Sequence, residues 1–255
     1  MGLIKQYRDK SFNKGVNPYY GLYDETGIYF DLLLLDENDT YDICDNEHEI
    51  AIVIIQGTGR IDHQGINYNY DRKDWIDHDP TVVHMAVNES STLTASTKTR
   101  AAIVKTVNPN SFKGKVYTPD EIDTEHRGKE KLDDTCYRLV RLAFDRSIAP
   151  KEARLVIGEV LNFPGRWSSY PPHHHSQPEM YYYEFSPEWG YGHGELGDKV
   201  YKIKNNDILI ITDNMVHSQT SAPGFYMYYL WMIRHQKNNP YDGFTYIGSF
   251  ENMLD

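Results

Sequence analysis

Apolar and polar positions alternate in short runs along most of the chain, separated by segments rich in Gly, Asn, Asp and Pro. Ile28-Tyr29-Phe30-Asp31-Leu32 and Ile50-Ala51-Ile52-Val53-Ile54-Ile55 both read as strands, and the second ends at Gln56-Gly57-Thr58-Gly59, a turn signal. Comparable runs at 27–35, 49–56, 65–70, 81–86, 91–96 and 101–107 predict successive strands, and no long amphipathic helix interrupts them. This is the pattern of a β-sandwich or barrel rather than of βαβ units.

Between 108 and 135 the composition shifts to Pro, Gly, Asp, Lys and Glu, with turn or capping signals at Asn108-Pro109-Asn110 and Thr118-Pro119-Asp120-Glu121. This stretch reads as a connector. Strand character resumes at 137–144 and continues through 153–161, 180–185, 199–203, 207–211 and 225–233. The expected organisation is an all-β protein with an N-terminal half over 1–107, a connector over 108–135 and a C-terminal half over 136–255.

Composition narrows the class. The length of 255 residues and the 40% hydrophobic content allow a substantial core, and the 21 tyrosines suit pleated strand surfaces and polar cavities alike. A formal net charge of −11 leaves no basic footprint for nucleic acid. It also means that an anionic ligand would need a local cationic pocket or a metal. Cys44 and Cys136 stand alone without a CxxC context, and the N-terminus carries no apolar leader. No stretch approaches the roughly 18 apolar residues of a spanning helix. A soluble cytoplasmic protein is expected, with no membrane or nucleic-acid partner, and an open sheet edge would leave room for a homo-oligomer.

The chemistry concentrates in His173-His174-His175-Ser176-Gln177-Pro178-Glu179. In a strand, alternate side chains share a face, and His173, His175 and Glu179 have the same parity. His217, after another strand-like run, would complete a set of three imidazoles and one carboxylate. Such a set suits zinc, iron, manganese or nickel. The alternative is a solvated histidine loop. His48, His63, His78 and His84 are scattered without ligand spacing and read as surface or satisfied core residues.

The flanking residues add a resemblance. Gly165-Arg166-Trp167-Ser168-Ser169-Tyr170-Pro171-Pro172-His173-His174-His175, followed by Glu179-Met180-Tyr181-Tyr182-Tyr183, resembles the 5-deoxy-glucuronate isomerases of bacterial inositol catabolism. Asn206 to His217 and Ser221-Ala222-Pro223-Gly224 before an aromatic run are similar to that family's second motif. The related 4-deoxy-5-ketouronate isomerases share the ligand pattern without the flanking run. The chain departs from the family at Arg166, His174 and Asn206.

The resemblance implies a bicupin, two sandwich or barrel halves of the double-stranded β-helix type, with a metal only in the second. It implies conversion of 5-deoxy-glucuronate to 2-deoxy-5-keto-gluconate, an aldose–ketose isomerisation. His173, His175, Glu179 and His217 would hold a divalent metal, zinc first among the candidates, which would polarise the carbonyl and acidify the neighbouring hydroxyl. Glu179, Tyr183 and Arg166 are the catalytic candidates, with Tyr181, Glu184, Glu195 and a metal-bound hydroxide as other bases. Arg166, Trp167, Tyr181, Tyr183 and Arg234 are the substrate-binding candidates, the arginines because a planar guanidinium pairs with a uronate carboxylate. A cupin dioxygenase using iron at the same ligands and a non-catalytic sugar-binding bicupin are the competing expectations.

Overall fold

The computed structural model describes residues 2–254. Among them strands dominate, and the single α-helix is the four-residue turn Tyr23–Thr26. No helix among the described residues is long and apolar enough to cross a membrane. Cys44 and Cys136 are both free.

The chain divides into two compact units, one made of Ser11–Asp123 and Ala143–Val156, the other of Met1–Lys10, Thr124–Leu142 and Ile157–Asp255. They are therefore interleaved. Cuts at 107 and 136 do not anticipate that 1–10 goes with the C-terminal unit and 143–156 with the N-terminal one.

In the N-terminal unit a nine-stranded antiparallel sheet is organised around the long strand His48–His63, which pairs with four neighbours: Val82–Met85, Thr99–Val107, Ile66–Arg72 and Ser90–Ala95. Ile50 to Ile55 are buried on both faces, which is why they read as a continuous apolar run. The turn expected at Gln56-Gly57-Thr58-Gly59 is instead a register shift inside this one strand, between Ile54 and Gln56. Gly57 adopts φ +125°, and a Cβ there would collide with the Thr99 backbone, so only glycine lets the strand bend and continue.

The C-terminal unit carries a seven-stranded and a five-stranded sheet. In the first, Glu179–Ser186 lies between Ile208–Ile211 and Tyr226–Arg234, with Glu179 opposite Ile211 and Ile233. Its alternation sorts the residues cleanly. Tyr181, Tyr183 and Phe185 join Met227, Tyr229, Leu209 and Val140 in one apolar cluster, while Met180, Tyr182 and Glu184 take the other face. In the second sheet Trp167–His174 pairs antiparallel with His217–Ser221, and His173 stands opposite His217.

Segment 143–156 is fastened to the N-terminal unit by a buried carboxylate. Glu49 Oε1 accepts from His84 Nε2 at 2.9 Å and from the Leu155 amide at 3.0 Å. Its Oε2 accepts from Asn108 Nδ2 and the Arg154 amide, both at 2.7 Å. The Phe144 ring stacks on His84 at 4.0 Å between centroids. Burial alone would raise the Glu49 carboxyl, but the His84 bond and charge, with the Leu155 and Asn108 donors, outweigh it and hold the pKa below its ordinary value. A depressed folded-state pKa contributes stability that is present above the unfolded value and lost as pH falls through the folded one. Glu49→Gln places an amide N–H₂ against two donors and removes a buried charge partner. It should cost about 3 kcal/mol at pH 7. The gap between the two proteins in urea melts should narrow below about pH 4. A gap that is constant from neutral to acid pH would show that the ionised carboxylate is not what holds the segment.

Candidate metal centre

The strand Trp167–His174 ends one residue after His173. His175 to Pro178 form a turn, and Glu179 is the first residue of the next strand. Glu179 thus reaches His175 by chain reversal, not by continued alternation along one strand. The opposite partner, His217, opens the strand that pairs with Trp167–His174.

His175 Nε2 lies 3.0 Å and His217 Nε2 3.4 Å from the same oxygen, Glu179 Oε2. One ligand atom each from His175, Glu179 and His217 fall within 4.8 Å of one another, all three residues being buried. His173 stands outside this tight group, its ring centroid 4.6 Å from that of His217. His173 Nδ1 bonds the Pro171 carbonyl at 2.9 Å and His217 Nδ1 the Met215 carbonyl at 3.1 Å. A carbonyl only accepts, so Nδ1 carries the proton in each ring and Nε2 keeps its lone pair. His217 Nε2 is buried without a hydrogen bond, an atom that a cation beside Glu179 would satisfy. Burial, then the neighbouring His217 imidazole, pushes the pKa of His173 down to about 3, and burial also lowers His217 against the pull of Glu179. Neutral imidazoles and a carboxylate are a donor set for a divalent cation.

Hydroxyl groups connect outward from Glu179. Tyr181 donates to Glu179 Oε2 at 3.1 Å, and its oxygen is 3.2 Å from Ser169 Oγ. Gln219 Nε2 donates to Ser169 at 3.2 Å, Tyr183 donates to Gln219 Oε1, and Ser168 pairs with Tyr229 at 2.6 Å. Burial, then the charge of Glu179, holds the Tyr181 phenol well above its usual range; burial and then Tyr229 do the same for Tyr183. Both phenols are held on the protonated, donating side. Aromatic rings cover the histidines: Tyr241 lies 5.0 Å from His175 and Phe244 4.1 Å from His173.

The KduI/IolB family model matches residues 7–246. The chain belongs to this family. A 5-deoxy-glucuronate isomerase of Halalkalibacterium halodurans is 26% identical over 250 residues, covering 89% of this chain and 90% of the relative. One from Bacillus licheniformis is 26% identical over 227 residues, 81% of each. Among solved structures an IolB-like protein from Salmonella typhimurium LT2 superposes with TM-score 0.82 at 19% identity over 95% of both chains. An oxalate decarboxylase from Lactobacillus farciminis reaches TM-score 0.67 at 9% identity, over 93% of this chain and 85% of that one. The fold is that of the cupins.

Within this KduI/IolB member the remaining sequence candidates lie outside the His175, Glu179 and His217 group. Arg166 precedes the strand at the end opposite His173, its guanidinium carbon 5.2 Å from the Tyr137 and Phe163 ring centroids. Trp167 pairs with Thr220 and packs against Tyr170. Arg234 follows Ile233, the residue opposite Glu179, so alternation turns it to the other face. Glu184 lies on that other face too and accepts from Tyr182. Glu195 accepts from Ser218, and His174 is half-buried against Asn214 at 2.7 Å. The sequence reading gave no role to Ser169 and Tyr229, although both lie in the runs quoted for the resemblance, and it did not single out Gln219 or the Tyr241, Phe244 and Tyr246 cluster, which carries no periodic signal. His217→Ala should reduce divalent-metal affinity at least tenfold in a chelator-competition titration. Retention of wild-type affinity would remove His217 from the centre.

Proposed function

We propose that this chain is a divalent-metal-dependent aldose–ketose isomerase that converts 5-deoxy-glucuronate to 2-deoxy-5-keto-gluconate in inositol catabolism. The observation that carries the reading is the convergence of His175, Glu179 and His217 beside a file of protonated hydroxyls, in a chain whose relatives bear that activity in their names. His173 joins them as the fourth ligand, and zinc fits the three-imidazole, one-carboxylate set. A cation held there supplies Lewis acidity to the sugar carbonyl and lowers the pKa of the adjacent hydroxyl.

The protein's own groups do the rest. Pro171 and Met215 carbonyls fix the His173 and His217 rings, so that both present Nε2. Tyr181, kept protonated, spends its one O–H on the Glu179 carboxylate and fixes that ligand's orientation. Ser169 and Gln219 match the hydroxyls of a polyol better than an apolar oxygenase pocket would. Tyr241 and Phe244 limit water at the histidines.

Metal-loaded protein incubated anaerobically with 5-deoxy-glucuronate should yield the ketose, followed by ¹³C NMR, and lose turnover on chelation. Absence of product, or a requirement for oxygen, would overturn the assignment.

A further inference from the structure

An acidic chain that acts on a sugar acid needs a local cation for the carboxylate, and the two arginines chosen from sequence do not face the centre. Another pair does. Thr124–Arg127 and Arg138–Phe144 are neighbouring antiparallel strands, with Arg127 directly opposite Arg138. Like charges so placed repel, and a protein gains nothing from the arrangement unless something neutralises it. Val140 belongs to the inward cluster with Tyr181, Tyr183 and Tyr229. Arg138, two residues earlier, shares that face, and Arg127 shares it through the cross-strand register.

Arg138 is only 5% exposed. Its Nη1 donates to the Cys136 carbonyl at 2.7 Å and its Nη2 to the Tyr170 carbonyl at 3.0 Å. Two carbonyls leave donors of the five-donor guanidinium unused, and no carboxylate among the described residues pairs with it. Arg127 has its carboxylate, Glu125, at 2.8 Å. Glu125 lies close enough to feel the charge of Arg138, but its oxygens are taken by Arg127, so one carboxylate faces two guanidiniums and a buried positive charge remains in excess, which a ligand carboxylate would balance.

The position fits the site. Tyr170, whose carbonyl Arg138 holds, is followed by Pro171, whose carbonyl holds His173. The charge of Arg138 is felt by His173, and Tyr229 and Tyr246, which border the centre, are among the groups acting on Arg138.

We infer that Arg138, flanked by Arg127, receives the carboxylate of the sugar acid whose carbonyl end lies at the His173, His175, Glu179 and His217 centre. This rests on the isomerase reading and adds to it the residue that selects acids over neutral sugars. Arg166, at the other end of the Trp167–His174 strand from His173, has no part in that selection.

The test compares metal-loaded wild type, Arg138→Gln, Arg138→Lys and Arg166→Gln on 5-deoxy-glucuronate and on its neutral counterpart with the carboxylate reduced to CH₂OH. Arg138→Gln should raise KM for the uronate by about 100-fold, in line with loss of a charge-assisted pair. KM for the neutral sugar, metal content and the Arg166→Gln kinetics should stay near wild type. Arg138→Lys should fall between. Equal losses on both sugars, or a uronate KM within about twofold of wild type, would overturn the inference. Should Arg138→Gln fail to fold, the uronate-to-neutral preference of Arg138→Lys decides: a fall of about tenfold or more supports the inference and an unchanged ratio overturns it. Should wild type turn over neither sugar, the isomerase reading fails by itself. Calorimetric titration with glucuronate then judges the carboxylate site alone, with weaker binding to the variants supporting it and equal binding, or none to wild type, overturning it.

Discussion

The centre depends on one cross-strand pairing. Because Trp167–His174 runs antiparallel to His217–Ser221 with His173 opposite His217, imidazoles distant in sequence meet at the ends of two strands. The tight turn after His174 then returns the chain so that Glu179 approaches both His175 and His217. Side-chain period in a strand is two, so a slip of one residue in either pairing would send a ligand to the opposite face. The apolar cluster of Tyr181, Tyr183, Phe185, Met227 and Tyr229 resists such a slip, since it would expose those rings as well. Packing energy and site geometry are thus enforced by the same register.

The same register places hydroxyls where they matter. Tyr181 follows Glu179 by two positions and necessarily shares its face, and Tyr183 extends the line to Gln219. Burying phenols beside a carboxylate keeps them protonated. The result is a lining that donates without changing charge, which suits a substrate rich in oxygen atoms. It does so inside a chain whose formal charge of −11 would otherwise discourage an anion.

Much of this was legible in the sequence, and the failures share a cause. Alternation located most strands because each has one buried face, and the His-x-His with Glu179 and His217 is visible because ligand chemistry restricts residue type. Arg166 and Arg234 were chosen because a planar guanidinium suits a uronate carboxylate, a criterion of residue type alone. Closeness in space is set by strand order, and that order brings Arg138 and Arg127 to the inward face from a stretch read in part as connector. The Gln56 to Gly59 segment misled for a related reason: glycine marks a turn and a bulge equally, and only the neighbour Thr99 decides between them. The aromatic cover from Tyr241 to Tyr246 has no periodic signal, because it is fixed by contact with the histidines and by the short Thr245–Tyr246 strand.

Each unit buries a histidine against a glutamate, and the contrast between them shows why only one keeps the capacity to hold a cation. Glu49 meets His84 at 2.9 Å, but both its oxygens are also taken by Asn108 and by the amides of Arg154 and Leu155. No acceptor capacity faces a cation, and the pair serves as a fastening. Glu179 receives hydrogen bonds at Oε2 from His175 and Tyr181, and the same oxygen has a second imidazole, with an unbonded Nε2, 3.4 Å away. The difference is made by backbone amides. Where strand ends donate N–H groups into the carboxylate the ion pair is saturated and structural, and where hydroxyls and imidazoles surround it instead, coordination capacity remains.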